Sequence, residues 1–247
     1  MTEIPPELMQ KFTTDAAGGH PNLTPKDAAT LILLDRSGPE PKVLMGKRHD
    51  RHVFMPGAYV FPGGRVDAID RTMPVAASLD PRAEQKLMAH VKRPNAAKAR
   101  ALALAAIRET FEETGLLLGA KSPQIPAKPD SAWAAFIDAG ILPDLSTVHF
   151  VARAVTPPRR KRRYDTRFFT ADASAIAHRV DGKVGADFEL VELVWLPLSQ
   201  IKQRIELMAI TEIVLRELNT LLEKGFSHDL PVPYFHVVHG KRVRDLL

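Results

Sequence analysis

The chain contains no cysteine. This absence excludes disulfide bonds, thiolate metal sites and cysteine nucleophiles. Long apolar runs are also missing, since no stretch approaches the roughly 20 residues that a membrane-spanning helix needs. Residues 1–10 include Glu3 and Glu7 and lack a basic segment followed by an apolar one, so they do not read as a signal peptide. We therefore expect a protein without a membrane partner, with the cytoplasm as its default location.

What is present fits one sizeable α/β domain. The chain has 247 residues, of which 45% are hydrophobic and 26% charged. The expected organisation is a loose N-terminal arm at 1–26, a single domain at 27–225 and a C-terminal tail at 226–247. The tail carries His228, His236 and His239, whose spacing does not suit metal binding on a helix. No internal repeat is visible.

The hydrophobic pattern and its punctuation place the regular elements along the domain. Apolar runs predict strands, turn residues separate them, and apolar residues at helical spacing predict helices. The predicted strands cover 28–34, 43–48, 148–156, 166–170 and 188–198. The predicted helices cover 83–91, 96–114, 131–139 and about 200–223, with Asn95 as N-cap and Gly115 after the C-terminus of the second.

The helix predicted at 96–114 carries a cluster of carboxylates. Glu109, Glu112 and Glu113 are spaced i, i+3 and i+4 and therefore share one face. Leu104, Ile107 and Phe111 fall on the opposite face. Like charges at this spacing repel one another. A solvated helix face is the ordinary interpretation, but a divalent cation such as Mg²⁺, which prefers carboxylate oxygens, would remove the repulsion.

The surroundings of the cluster resemble a known signature. Residues 108–116 read Arg-Glu-Thr-Phe-Glu-Glu-Thr-Gly-Leu, and Phe61-Pro62-Gly63-Gly64 lies upstream. Together they resemble the Nudix signature, a glycine loop followed by a helix reading Arg-Glu-x-x-Glu-Glu-x-Gly-apolar. Only Thr110 departs from the helical half, where an aliphatic residue is usual. The resemblance implies an α/β/α sandwich with a mixed β-sheet and hydrolysis of a pyrophosphate link.

Two departures from the signature concern its spacing. Gly64 and Arg108 are 44 residues apart, far more than the signature has, so we expect an insertion at about 67–94. The position of the signature's first glutamate, counted back from Arg108, is occupied by Arg100. Asp67 and Asp70, just after the glycines, are the carboxylates that could replace it in space.

The glycine loop resembles one branch of the family. The run from Phe54 to Asp67 is similar to that of coenzyme A diphosphatase-like Nudix proteins, one subgroup of which has a long insertion inside the signature. Leu44 to Arg48, Thr156-Pro157-Pro158 and the segment 163–169 also resemble that subgroup. This resemblance implies CoA or acyl-CoA as substrate, cleaved to 3′,5′-ADP and a phosphopantetheine. ADP-ribose, NADH and RNA 5′ ends remain alternatives within the class.

The resemblance also implies roles for individual residues. Mg²⁺ or Mn²⁺ would be held by Glu109, Glu112, Glu113 and a carbonyl of Gly63 or Gly64, with Glu109 as ligand or as base. Arg108 would orient a glutamate through a charge-assisted hydrogen bond. Either Glu189 or Glu192 could add a carboxylate. They are three residues apart on a strand, so at most one faces the site. The expected substrate-binding residues are Arg48, Arg51, Gly63, Gly64, Arg162 and Arg163.

The net charge of +5 owes much to the run from Arg159 to Arg163. A solvated loop is the commonest interpretation of such a run, and a phosphate-rich substrate is the functional one. Nucleic acid is disfavoured though not excluded, because only Tyr164 accompanies the run as an aromatic residue. A homodimer is expected by resemblance alone. A non-catalytic ligand sensor on the same scaffold is the alternative from a different class, because the signature's first glutamate is missing and the insertion is long.

Overall fold

The computed structural model describes residues 4–14, 19–51, 57–124 and 131–247. Its centre is a mixed sheet in which β11, β2, β1, β9, β8, β12 and β13 lie side by side in that order, with β3 beside β2 and β4 beside β1. Two small two-stranded sheets, β10 with β5 and β6 with β7, accompany it. The strands are β1 (Lys26–Asp35), β2 (Lys42–Arg48), β3 (Tyr59–Val60), β4 (Gly63–Arg65), β5 (Leu116–Leu118), β6 (Ala120–Lys121), β7 (Ile141–Leu142), β8 (His149–Val155), β9 (Tyr164–Asp172), β10 (Ile176–Arg179), β11 (Leu190–Pro197), β12 (Pro233–Val238) and β13 (Lys241–Leu246).

Helices cover both faces of this sheet. They are α1 (Pro6–Thr14), α2 (Pro81–Met88), α3 (Ala96–Thr114), α4 (Ala134–Asp138), α5 (Ile201–Arg204) and α6 (Ala209–Glu223). Alternate residues of β1 point to opposite faces: Leu31 and Leu33 join the core beneath α2, α3 and α4, whereas Ile32 and Leu34 join the core beneath α1, α5 and α6. The result is the three-layer α/β/α arrangement with a mixed sheet that the sequence predicted.

Strand β1 organises the sheet around the glycine loop. It runs parallel to β9 along its length, while its other edge is shared between two antiparallel partners. The C-terminal part of β1 pairs with β2, and Ala28–Thr30 pair with β4. This division places the two glycines of β4 beside the middle of the sheet, directly under α3.

Helix α3 has the bounds that its capping residues predicted. The Asn95 side chain accepts a hydrogen bond from the Lys98 amide at 2.7 Å, and Gly115 ends the helix with a left-handed φ of 76°. The strands predicted near 28–34, 43–48, 148–156, 166–170 and 188–198 are also present, and the insertion contains α2. Within the described residues, no helix combines the length and apolarity needed to cross a membrane.

The two ends of the described chain differ from the expectation of a loose arm and a tail. Residues 6–14 form α1, and Leu8 is buried in the core beside α6. Residues 233–246 form the β12–β13 hairpin, which extends the main sheet through a parallel pairing of β12 with β8. Leu8 and Phe235 anchor these two ends through contacts with residues far away in the chain, and such contacts cannot be read from the local pattern.

The long helix predicted from about 200 to 223 is in fact two helices. Helix α5 ends after one turn, Ile205 adopts an extended conformation with φ −141° and ψ 145°, and α6 begins at Ala209. Ile205 and Leu207 pack against the same core as α6. The apolar spacing was therefore correct for the buried face, but the chain reaches that face partly in an extended conformation.

Candidate active site

The last two turns of α3 hold three glutamates at different depths. Glu113 is 7% exposed, whereas the side chains of Glu109 and Glu112 are 16% and 39% exposed. Leu104, Ile107 and Phe111 are buried in the core. The helix therefore presents the predicted acidic face, and that face is graded from a nearly buried carboxylate to one in contact with solvent.

The two glycines of β4 lie directly against this acidic face. The backbone amide of Gly63 donates a hydrogen bond to the carboxylate of Glu113. A side chain at Gly64 would collide with the carboxylate of Glu109, and one at Gly63 would collide with the β1 backbone at Ala29. Neither glycine has a positive φ. Glycine is thus required here for close approach of backbone to carboxylate rather than for an unusual turn.

Arg108 is anchored by a carboxylate from the insertion. Its Nε donates to Oδ1 of Asp70 at 2.8 Å and its Nη2 to Oδ2 at 3.1 Å, and Asp70 is completely buried. The Asp67 amide donates to the same carboxylate at 2.8 Å. Asp70, one of two replacements considered for the missing glutamate, is therefore the one that pairs with Arg108. The only sequence signal was its place just after the glycines.

The remaining donors of Arg108 reach the acidic face. Nη1 donates to Glu109 at 2.9 Å and to Glu112 at 3.0 Å, and Nη2 donates to the carbonyl of Arg65 at 2.9 Å. Burial disfavours the charged guanidinium, but its bonds and charges with Asp70 and the glutamates outweigh this and raise the pKa of Arg108. The arginine thus joins the insertion, β4 and two glutamates, and it makes the predicted contact with the cluster.

The carboxylates exceed the cations around them. Burial raises the pKa of Glu109 to about 7, although Arg108 opposes the shift. Burial, with the charges of Glu189 and Glu109, also raises the pKa of Glu113 well above its ordinary value. An excess of buried hard oxygen donors beside exposed backbone is the environment that Mg²⁺ or Mn²⁺ would neutralise. The residues present therefore fit such a cation.

The protein-only arrangement does not itself form a finished metal site. In the ranges described, no three Asp, Glu or His side chains converge closely enough to hold an ion. Arg108 occupies oxygens of both Glu109 and Glu112. Binding of a cation through all three glutamates thus requires a rearrangement of the more exposed Glu112.

A fourth carboxylate lies beside Glu113. Arg48, at the end of β2, donates to Glu189 at 2.6 Å, and both side chains act electrostatically on Glu113. Glu192 lies elsewhere, where it accepts a hydrogen bond from the Tyr59 hydroxyl at 3.3 Å. The structure thus brings Arg48 and Glu189 to the cluster, whereas Glu192 bonds to Tyr59; Glu189 precedes β11, and the pairing of β11 with β2 is irregular between Leu190 and Glu192.

The other basic residues expected to bind substrate are not brought to the cluster. Arg163 donates to the carbonyls of Thr156 and Leu23 and to the side chain of Asn22, so it fastens the segment before β1. Arg51 and Arg162 are exposed and make no side-chain contact with the glutamates in the part of the chain that is described. The first part of the glycine loop, residues 52–56, lies outside the described residues.

Comparison with solved structures places this arrangement among known folds. A Nudix hydrolase from Alicyclobacillus acidocaldarius is 25% identical over 81% of this chain and 96% of its own, with a TM-score of 0.55. The Nudix domain of Shewanella oneidensis NrtR, solved with ADP ribose, is 15% identical over 81% and 90%, with a TM-score of 0.45. The Caenorhabditis elegans Ap4A hydrolase is 15% identical over 81% and 99%, with a TM-score of 0.41.

The sandwich, the glycine strand and the acidic helix together define a Nudix pyrophosphohydrolase, a hydrolase of nucleoside diphosphates linked to another group. The family model described as the NUDT19 Nudix domain matches residues 25–210. The chain therefore belongs to this Nudix family. The match spans β2, the glycine strand, the insertion, α3 and Glu189, which supply the contacts of the acidic cluster described above.

Proposed function

We propose that this protein is a metal-dependent diphosphatase of CoA or acyl-CoA, which releases 3′,5′-ADP and a phosphopantetheine. The observation that carries the chemical part of this proposal is the contact of the Glu109–Glu113 face with Gly63 and Gly64. The choice of CoA rests on the resemblance of residues 54–67 and 163–169 to the CoA diphosphatase-like branch. ADP-ribose, NADH and RNA 5′ ends are the alternative substrates of the same chemistry.

The residues that would hold Mg²⁺ or Mn²⁺ are Glu109, Glu112, Glu113 and the Gly64 carbonyl. Bound there, the cation would offset phosphate charge and lower the pKa of an attacking water. Arg108, fixed by Asp70, keeps Glu109 and Glu112 on the acidic face. The buried arginine thus restricts the positions of the ligands, which reduces the ordering that substrate binding must impose.

Residues beside the ligands suit the remaining tasks. Glu189 is held by Arg48 next to Glu113, so it is the fourth carboxylate that we assign to the site. Arg48 is the cation placed to contact a substrate phosphate, and Glu109 is either a ligand or the base that takes the proton from water. Arg163 is excluded from the proposed substrate contacts, because its donors bond to its own chain.

The alternative of a non-catalytic ligand sensor loses its main support. It depended on the missing first glutamate and on the long insertion, but Asp70, which lies in that insertion, gives Arg108 a buried carboxylate partner. A cytoplasmic location and a homodimer stay predictions from the sequence and the resemblance.

Product analysis of the purified protein tests the proposal. With Mg²⁺ or Mn²⁺ we expect CoA and acetyl-CoA to yield 3′,5′-ADP faster than ADP-ribose, NADH or 5′-triphosphate RNA is cleaved. Glu112→Gln removes a metal ligand, so kcat should fall about 10³-fold. The exposed Glu206→Gln should retain activity. Faster cleavage of another compound would reject CoA, and full activity of Glu112→Gln would reject the assigned site.

A further inference from the structure

A basic groove lies beside the acidic cluster, between the start of β1, the end of β4, the 3₁₀ turn at Ala68–Arg71 and the first half of α3. Its volume is about 380 Å³. The charged residues that line it are Lys26, Asp27, Arg65, Asp67, Arg71 and Lys98. Four cations thus surround one concave surface with only two carboxylates among them.

One of those two carboxylates is already neutralised. Asp27 pairs with Lys98 at 3.2 Å and with Arg167 at 2.8 Å. Burial would raise the pKa of Asp27, but the two cations outweigh it and lower the pKa. Within the described ranges, the side chains of Lys26, Arg65 and Arg71 have no ion-pair partner. The groove therefore has a surplus of positive charge that its own carboxylates do not balance.

A buried guanidinium lies behind the groove and adds to this surplus. Arg167 is 1% exposed, and among the described residues its Nε has no hydrogen-bond partner. Its Nη1 donates to Asp27 and to the carbonyl of Asp165. Burial and the neighbouring Arg153 lower the pKa of Arg167, although Asp165 and Asp27 oppose the shift. An anion in the groove would interact favourably with it through a medium of low dielectric.

The groove and the acidic cluster share structural elements. Arg65 follows Gly64 directly, and its carbonyl accepts a bond from Arg108 at 2.9 Å. Lys98 and Glu109 are on the same helix, 11 residues apart, which corresponds to about 16 Å along its axis. The groove therefore begins next to the proposed metal site and extends along α3 away from it.

We propose that this groove binds a phosphate monoester of the substrate that is not part of the cleaved pyrophosphate, with Arg65, Lys26 and Arg71 as its cations. The inference rests on the proposed function, and in CoA the group would be the 3′-phosphate. The run at 159–163, whose Arg163 uses its donors on its own chain, is not needed for this role. A ring of cations around a concave surface suits a dianion better than a neutral or singly charged group.

A pair of substrates that differ only in this phosphate tests the proposal. We expect the Lys26→Ala/Arg71→Ala double variant to reduce the ratio of kcat/KM for CoA to that for 3′-dephospho-CoA about tenfold, because two charge-assisted contacts are lost. The exposed Lys92→Ala, from the same insertion, should keep the wild-type ratio. An unchanged ratio in the double variant, whether kcat/KM stays the same or falls equally for both substrates, would overturn the proposal.

Titration calorimetry without metal tests phosphate binding in the groove even if neither CoA nor 3′-dephospho-CoA is hydrolysed. We expect the wild type to bind 3′,5′-ADP more tightly than 5′-AMP, and the double variant to lose this difference while it keeps the wild-type melting temperature. Equal binding of the two nucleotides by the wild type would refute the groove as a phosphate site. Binding of inorganic phosphate as tight as that of 3′,5′-ADP would refute a substrate subsite, because it would show a site for free phosphate.

Discussion

Two networks of ion pairs, each built around buried arginine side chains, lie on either side of β1. Carboxylates outnumber cations in one network, and cations outnumber carboxylates in the other. In the first, Arg108 faces three carboxylates, those of Asp70, Glu109 and Glu112. In the second, Arg153 and Arg167 share Asp165, and Asp27 pairs with both Arg167 and Lys98. In both networks the arginines are buried and ion-paired, so burial and ion pairing alone do not distinguish one network from the other.

Charge balance does distinguish them. In the first network one arginine pairs with three carboxylates, whereas in the second Arg153, Arg167 and Lys98 share only the carboxylates of Asp27 and Asp165. The first network is therefore short of positive charge and fits a cation, and the second is short of negative charge and fits an anion. The two binding sites proposed above, one for a metal and one for a phosphate, follow from these opposite deficits.

Removal of the carboxylate shared by the second network should have the largest effect on stability. Asp165→Asn leaves Arg153 and Arg167 without a shared counter-charge, so we expect the free energy of unfolding to fall by about 3 kcal/mol. The kcat per folded molecule for 3′-dephospho-CoA, which lacks the phosphate that the groove is proposed to bind, should change little. Urea denaturation measures the first quantity, and the exposed Asp181→Asn, 91% exposed, should cost under about 0.5 kcal/mol. Lost activity in a folded variant would contradict the separation of the two networks.

Removal of the anchor of the first network should affect stability less and activity more. Asp70→Asn leaves Arg108 with Glu109, Glu112 and the Arg65 carbonyl, so we expect a loss of about 2 kcal/mol in unfolding free energy. Since Arg108 then positions the glutamates less well, kcat should fall about 10- to 100-fold with little change in KM. Asp70→Glu should recover part of the activity. A stable variant with unchanged kcat would show that Asp70 is merely structural.

The smallest expected effect is a loss of stability in acid that arises at His149. This loss has to be known before the stabilities of the network variants are compared below neutral pH. His149 stacks on His228 at 4.3 Å, and burial, then His228 and Arg36, lower its pKa to about 4 against a weaker opposing effect of Asp80. The unfolded chain therefore binds this proton first, and stability falls as pH drops from about 6.5 towards 4.

His149→Phe should reduce that loss by about 1 kcal/mol, a figure discounted for the partial exposure of the ring. Melting curves between pH 4 and 7 would measure it. The exposed His20→Gln should keep the wild-type slope. If the stability of His149→Phe changes with pH as that of the wild type does, the loss of stability in acid does not arise at His149. The carboxylates of the two networks would then be the next groups to test.

The parts that the sequence predicted are those that local physics determines. Asn95 and Gly115 predicted the two ends of α3 correctly, because helix capping is a local effect. The i, i+3 and i+4 spacing likewise placed the three glutamates on one face of the helix. The apolar alternation of β1 predicted a strand but not its partners. Its split pairing with β4 and β2 depends on contacts between residues far apart in the chain.

The same limit applies to the site: the local motif identified its residues, but the contacts between distant parts of the chain could not be predicted. A carbonyl of Gly63 or Gly64 was expected to hold the metal, and this stays a prediction, but the structure does place Gly64 against the carboxylate of Glu109. Asp70 could only be named as one of two candidates, because its meeting with Arg108 spans the insertion. The role given to Arg163 lacked structural support because a run of like charges carries no information on which of its members the fold uses for its own bonds.

The parallel pairing of β1 with β9 also has a consequence for the order of synthesis. The pairing joins Lys26 to Tyr164 and Leu34 to Asp172. Each of these residues of β1 is therefore synthesised 138 residues before its partner in β9. At about 5–20 residues per second, that interval is on the order of ten seconds on the ribosome. During this time the apolar stretch from Ala28 to Leu34 lacks one edge of its sheet. The nascent chain is therefore most exposed to chaperones and to aggregation before β9 emerges.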